Sequence, residues 1–307
     1  MSSLLSGASF RTTFPAALYY PALFAGRNAP PVQAGPPMPV VGFAVGWTCD
    51  VAMYEAILQR LASHGLLVVA PLFNDASAEP LAQVNFRSQL SQILSAVAYV
   101  GAQAGPAGGS SPFGDPAAGT LWRGRVNASR LGLFGHSAGG GVVLQGAAER
   151  GDAVRAVATL GAWVNPATTP WLSALGGTVT APALLLSGAN DTLAPLADNG
   201  QRVFDALASP KLLPLLAGGS HCFLDWSASQ QGAAPANGLL PWYGYSGCPA
   251  AQLAALPPPL GVGGLSMGDQ VAQAATHLTT FFKLYLADDA DGACVLCILA
   301  TRIERPL

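Results

Sequence analysis

The chain is poor in charge and has no long apolar run. Only 10% of its 307 residues are charged, against about 25% in ordinary domains, and lysine occurs twice. The net charge is −2 and no basic patch is visible, which argues against nucleic acid as a partner. Because no run reaches about 18 apolar residues, no transmembrane span is predicted and we expect a soluble protein. The start of the sequence shows no clear signal peptide, although a trimmed start would hide one, so the compartment is left open.

Cysteine is scarce and odd in number, so at least one of the five thiols is expected to be unpaired. A disulfide between Cys222 and Cys248 would pin the segment between them. Three states are open for Cys294 and Cys297, namely a strained disulfide, half of a metal site, or two free thiols. A zinc site would need two further ligands and none lies nearby in sequence, so no metal is predicted.

The sequence Gly-His-Ser-Ala-Gly at residues 135–139 fits the G-x-S-x-G nucleophile elbow. Residues 130–134 before it predict a short buried strand, and residues 140–150 after it predict a helix. In such a turn the strained backbone lifts the serine hydroxyl out of the sheet, and flanking glycines let strand and helix pass closely. Ser137 is therefore the predicted nucleophile. The alternative is a glycine-rich turn with a capping serine.

A nucleophilic serine needs a histidine base, which in this fold follows it in sequence. Two of the four histidines follow Ser137. His221 lies in a loop after the strand-like residues 212–216, where the base belongs, and is the predicted base. His277 lies in a long predicted amphipathic helix, where we expect a partly exposed side chain. His136 lies beside the nucleophile and is predicted to line the substrate cleft.

The triad acid is expected between the nucleophile and the base. Asp191 is the only acidic residue of this interval at the end of a predicted strand, since it follows the apolar run 183–188. Glu149, Asp198 and Asp205 lie in predicted helices and are expected on solvated faces, and Asp152 lies in a turn where it is expected to end a helix. Asp191 is therefore predicted to orient the imidazole of His221.

Two backbone N–H groups are predicted to bind the oxyanion. The residue after the nucleophile, Ala138, supplies one of them. The other comes from the loop after the early strand 40–45, where we assign Trp47 although any residue of that loop would serve. This machinery forms and hydrolyses an acyl-enzyme, and it requires no metal or organic cofactor.

Several segments resemble the actinobacterial-type polyester hydrolases and cutinases, which include the poly(ethylene terephthalate) hydrolases. They span about residues 40–225 and the last helix: 46–48, 61–70, 126–141, 190–195, 218–221 and 281–283. The resemblance implies an α/β-hydrolase fold, a mostly parallel sheet with helices on both faces, which the alternation of strands and helices also favours. It further implies that Trp47 supplies an oxyanion N–H and that Trp163 lines the ester cleft. Cys294 falls near the place where the family has a C-terminal disulfide.

Chlorophyllases and platelet-activating-factor-acetylhydrolase-like esterases share much of this pattern. The expected substrate is accordingly a small-molecule, lipid or polymer ester. An acyltransferase would use the same three residues and exclude water, whereas a silent binding protein of this fold commonly loses one of them. We expect one domain over residues 1–307 and a monomer. An insertion at about residues 226–267 would form a lid, a wall of the acyl site or a surface excursion.

Overall fold

The computed structural model contains one eight-stranded sheet with helices packed against it. It describes only parts of the chain. These parts are residues 14–26, 28–32, 35–47, 49–72, 86–104, 122–164, 175–208, 210–224 and 265–289. The strands are Ala16–Tyr19 (β1), Met38–Ala44 (β2), Leu67–Pro71 (β3), Val126–His136 (β4), Val154–Leu160 (β5), Ala183–Gly188 (β6), Lys211–Leu212 (β7) and Leu215–Leu216 (β8). Their order is β1-β3-β2-β4-β5-β6-β7, and β8 also pairs with β6. Only the β1–β3 pair is antiparallel among these strands.

Helices cover both faces of this sheet. In chain order they are Glu55–Ser63 (α1), Phe86–Gln103 (α2), Ala138–Arg150 (α3), Leu175–Thr178 (α4), Gly200–Ala206 (α5) and Met267–Leu286 (α6). Successive side chains of a strand point to opposite faces, and β2 shows this directly. Val41 and Phe43 pack with the apolar residues of α1 and α6, whereas Val40 and Ala44 pack with those of α2 and α3. The predicted fold, a mostly parallel sheet between two helical layers, is confirmed.

One predicted strand is divided in two. The sequence predicts a single strand over residues 212–216, but the structure has β7 and β8 on either side of Pro214. Proline has no N–H to donate to a neighbouring strand, so it interrupts the pairing at this point. Both short strands still pair with β6, β7 near its start and β8 at its end.

The structure shows the state of two of the five cysteines, Cys49 and Cys222. Cys49 is a buried free thiol, as the odd number of cysteines requires of at least one residue. Cys222 is disulfide-bonded. The other three cysteines and residues 226–264 of the predicted insertion lie outside the described residues, so the pairing of Cys222 with Cys248 stays a prediction.

His277 is buried, with 3% of its surface exposed, and the prediction of a partly exposed side chain was wrong. It lies one helical turn before Phe281 on the stripe of α6 that packs against the sheet. Its Nδ1–H donates to the Gln273 carbonyl at 2.8 Å, while its Nε2 has no hydrogen-bond partner among the described residues. Burial lowers the pKa of this imidazole below its ordinary value of 6.5.

Replacing His277 with leucine is expected to raise the free energy of unfolding by about 1–3 kcal/mol, because it removes an unpaired buried nitrogen. The gain should be larger at pH 5.5 than at pH 8. Below pH 6.5 the unfolded His277 binds a proton, while the folded one, whose pKa is lowered, stays neutral. The wild-type protein therefore loses stability as the pH is lowered from 8 to 5.5, and the leucine variant lacks this loss. Urea denaturation at the two pH values measures both effects. An equal gain at both would contradict the assigned protonation states.

Candidate active site

The predicted nucleophile, acid and base follow three different strands of the sheet. Ser137 comes directly after β4, Asp191 lies in the turn after β6, and His221 lies in the loop after β8. Because β4, β5, β6 and β8 are parallel, their carboxyl ends meet at one edge of the sheet. Residues 84 and 30 positions apart are thereby brought into contact.

The three side chains form an unbroken hydrogen-bonded chain. His221 Nε2 lies 2.8 Å from Ser137 Oγ, and His221 Nδ1 lies 2.7 Å from Asp191 Oδ2. A carboxylate can only accept, so Nδ1 carries the imidazole proton and Nε2 accepts from the serine hydroxyl. The second oxygen, Asp191 Oδ1, accepts the N–H groups of Leu193 at 3.0 Å and Ala194 at 2.8 Å. The carboxylate is therefore held on one side by backbone and on the other by the imidazole.

Ser137 occupies a backbone conformation that residues with a Cβ rarely adopt. Its φ is 55° and its ψ is −122°, with β4 ending immediately before it and α3 beginning immediately after it. The end of β5 braces the turn, since Ser137 N–H donates to the Leu160 carbonyl at 3.0 Å and Trp163 N–H donates to the Ser137 carbonyl at 2.8 Å. Surrounding structure thus fixes a strained residue, as a nucleophile elbow requires.

A glycine lies directly against the hydrogen bond between the acid and the base. Gly161 has a φ of 49°, and a Cβ there would come within 3.0 Å of Asp191 Oδ2 and 3.2 Å of His221 Nδ1. Its N–H donates to the Leu186 carbonyl at 2.8 Å, which fixes it between β5 and β6. Any side chain at this position would press on the carboxylate and the imidazole.

Gln270 of α6 holds the loop that carries the base. Its Nε2 donates to the Ser220 carbonyl at 2.7 Å, and its Oε1 accepts the Ser220 N–H at 2.9 Å. Just before α6, Leu265 N–H donates to the Gly218 carbonyl at 2.9 Å. The sequence analysis missed Gln270, although a glutamine within the apolar stripe of a helix signals a buried amide that needs two partners.

His136 was predicted to line the substrate cleft, but the structure shows it buried. Only 1% of its surface is exposed, and both ring nitrogens are engaged inside the protein. Nδ1 lies 2.7 Å from the Tyr54 hydroxyl and Nε2 lies 2.9 Å from the His221 carbonyl. The ring also packs against Phe223. At the end of β4 the side chain is therefore held by the turn that carries Tyr54 and by the loop that carries His221.

The predicted oxyanion donors and the predicted cleft tryptophan lie at the same edge of the sheet. Ala138 is the first residue of α3, where backbone N–H groups have no acceptor within the helix. Trp47 follows β2, and Trp163 follows β5 with its N–H on the Ser137 carbonyl. Both tryptophans are half-buried and pack against the core cluster that includes Ala138 and Val142.

Comparison with known protein families gives a match over most of the chain. Residues 19–238, well over half of the chain, match the family described as PET hydrolase-like. The chain belongs to this family. Over 170 residues it is 28% identical to cutinase est1 of Thermobifida alba, covering 55% of this chain and 48% of the relative. Over 170 residues it is also 29% identical to the bis(hydroxyethyl) terephthalate hydrolase of Streptomyces coelicolor, covering 55% of this chain and 45% of the relative.

The chain spans about half the length of the curated relatives it matches. Within the described part of this PET hydrolase-like chain, no helix is both long and apolar enough to cross a membrane. The same residues contain no group of three or more histidine, cysteine or acidic side chains placed to hold a metal ion.

Proposed function

We propose that this PET hydrolase-like chain is a serine carboxylic-ester hydrolase. The observation that supports it most strongly is the continuous hydrogen-bonded chain from Ser137 through His221 to Asp191. It joins a hydroxyl, a base and a buried carboxylate at the strand ends where catalytic residues of α/β folds gather. The strained backbone of Ser137 adds to this argument, because such strain persists mainly where a function requires it.

The reaction follows from these positions. The ester carbonyl oxygen binds the N–H groups of Ala138 and Trp47 while Ser137 Oγ attacks the carbonyl carbon. His221 Nε2 takes the hydroxyl proton and then delivers it to the alcohol oxygen as the ester bond breaks, leaving an acyl-enzyme. A water molecule, deprotonated by the same nitrogen, attacks the acyl carbon. The bond to Ser137 Oγ then breaks, His221 Nε2 returns the proton to Oγ, and the carboxylic acid leaves. Asp191 holds the Nδ1–H tautomer and stabilises the imidazolium that forms in each half-reaction.

We propose esters of the polyester or cutin type as the substrate class, with lipid and small-molecule esters as alternatives. The relatives support this, since they are named as cutinases and as a bis(hydroxyethyl) terephthalate hydrolase. The Trp163 N–H donates a hydrogen bond to the Ser137 carbonyl, which places this tryptophan next to the proposed nucleophile. Its indole would provide the wall against which an acyl group lies.

The test is hydrolysis of para-nitrophenyl esters from acetate to palmitate, before and after treatment with a fluorophosphonate. We expect turnover that the reagent abolishes, together with one adduct that mass spectrometry places on Ser137. Rates that fall with chain length would indicate a short acyl site and lead to assays on polyester film. Rates that peak at long chains would indicate the lipid-ester alternative. Absence of hydrolysis on every ester would overturn the proposed function.

A further inference from the structure

A buried hydrogen-bonded chain connects the loop of the predicted oxyanion donor with the loop of the predicted base. At one end, the Gly46 N–H, directly before Trp47, donates to the Tyr54 hydroxyl at 3.0 Å. That hydroxyl lies 2.7 Å from His136 Nδ1, and His136 Nε2 lies 2.9 Å from the carbonyl oxygen of His221. Tyr54 comes from the 3₁₀ turn that precedes α1, so the link spans 82 residues of sequence at its centre.

The direction of each hydrogen bond is fixed by chemistry. A carbonyl oxygen only accepts, so His136 Nε2 must carry the proton that it shares with His221. Burial lowers the pKa of His136 well below its ordinary value, so the ring is neutral and its Nδ1 accepts from the Tyr54 hydroxyl. The Tyr54 oxygen is left to accept from the Gly46 N–H.

The oxyanion loop also rests directly on this pair of side chains. A Cβ added to Gly46 would lie 2.9 Å from His136 Nδ1 and 3.1 Å from the Tyr54 hydroxyl. On the other side, the rings of His136 and His221 are 4.8 Å apart between centroids. Tyr54 and His136 are both fully enclosed by protein, so neither loop can move without disturbing a satisfied buried network.

We propose that Tyr54 and His136 are positioning residues that hold the oxyanion loop and the loop of His221 at a fixed separation. They touch no reacting atom and act through the Gly46 N–H and the His221 carbonyl. Such a role matters because oxyanion donors and base must all lie within about 0.5 Å of their productive positions. A misplacement of about 1 Å can cost as much as 10²-fold in rate. The inference rests on the proposed ester hydrolysis and deepens it.

The test removes one hydroxyl at a time. Tyr54→Phe is expected to lower kcat about 10-fold, as expected for one hydrogen bond that aligns the site, with KM changed less than about twofold. Tyr20→Phe is the matched control, because it removes a hydroxyl that donates to the Ala29 carbonyl at 2.8 Å beside the edge strand β1. Both variants should lose similar thermal stability, and only Tyr54→Phe should lose kcat. Equal kcat in the two variants, or a change confined to KM, would overturn the proposal.

Two substitutions of His136 separate its two ends. In His136→Gln the side-chain amide can reach the position of Nε2 and still donate to the His221 carbonyl. In His136→Asn the amide oxygen can reach the position of Nδ1 and accept from Tyr54, but nothing bonds His221. We expect His136→Gln to retain several-fold more kcat than His136→Asn, and we expect Tyr54→Phe to add little to either variant. A kcat lower in His136→Gln than in His136→Asn would contradict the proposal. So would losses of kcat from Tyr54→Phe and the His136 substitutions that are fully additive, because residues of one connected hydrogen-bonded chain should not act independently.

A second readout keeps this inference separate from the ester substrate. The rate at which a fluorophosphonate labels Ser137 depends on the nucleophile, base and oxyanion donors, but not on turnover of an ester. This rate should fall about 10-fold in Tyr54→Phe and stay unchanged in Tyr20→Phe. Wild-type hydrolysis therefore tests the proposed function, and the ratio of labelling rates tests the positioning role. An unchanged labelling rate in Tyr54→Phe would refute the role even if wild-type hydrolysis is found.

Discussion

Replacing Ser137 with alanine is expected to lower kcat for ester hydrolysis by about 10⁴- to 10⁶-fold while the fold survives. The substitution removes the only nucleophile of the proposed mechanism, and the remaining donors can only polarise a carbonyl that water must attack unaided. Initial rates with para-nitrophenyl acetate at high enzyme concentration measure the residual activity. Circular dichroism checks that the variant is folded. Turnover within tenfold of wild type would end the assignment of Ser137.

Ser137→Gly should lose the same activity and yet be more stable than Ser137→Ala. Both variants lack the hydroxyl that bonds His221 at 2.8 Å, so that loss cancels in the comparison. They differ in the Cβ, which alanine has and glycine lacks. The backbone conformation of φ 55° and ψ −122° is tolerated by glycine and strained in alanine. We expect a difference of about 1 kcal/mol in the free energy of unfolding, measured by urea denaturation. Equal stability would mean that the elbow stores no strain at this residue.

The fold and the contacts among Ser137, His221 and Asp191 could be predicted because the relevant signals are local. Strand, tight turn and helix around Ser137 are adjacent in sequence, and Asp191 and His221 each follow an apolar strand run. Parallel strands then impose the rest, since their carboxyl ends must meet at one edge. Chain order left two histidines after Ser137 and five acidic residues between Ser137 and His221, and the strand-end positions of Asp191 and His221 decided among them.

The environments of His136 and His277 could not be predicted, because they depend on residues distant in sequence. Neighbouring residues place His136 beside the nucleophile, but its partner Tyr54 comes from a turn 82 residues earlier. The alternation of side chains along β4 predicts the face on which His136 lies, but not which polar group of another element bonds it there. His277 was misjudged for a different reason, since a polar residue at the border of an apolar helical stripe fits both a solvated and a buried position.

Alanine at Gly139 is expected to prevent stable folding, with a loss of at least about 3 kcal/mol in the free energy of unfolding. Its Cβ would overlap the carbonyl groups of Ala44 and Val45 at the end of β2, and backbone groups cannot rotate away as a side chain can. Gly135→Ala should behave similarly, since its Cβ would overlap the carbonyl of Gly139. Soluble yield and thermal melting followed by circular dichroism measure the effect.

The matched control is Gly268→Ala in the first turn of α6, where an added Cβ meets none of the described residues within 4 Å. This variant should gain up to about 1 kcal/mol from helix propensity. A Gly139→Ala protein that melts like the control would show that β2 and α3 can separate at little cost. The contact at Gly139 that forbids a methyl group also brings the N-terminus of α3, with Ala138, against the end of β2, from which the Trp47 loop departs. The two proposed oxyanion donors are thus placed by one backbone contact, which only glycine permits.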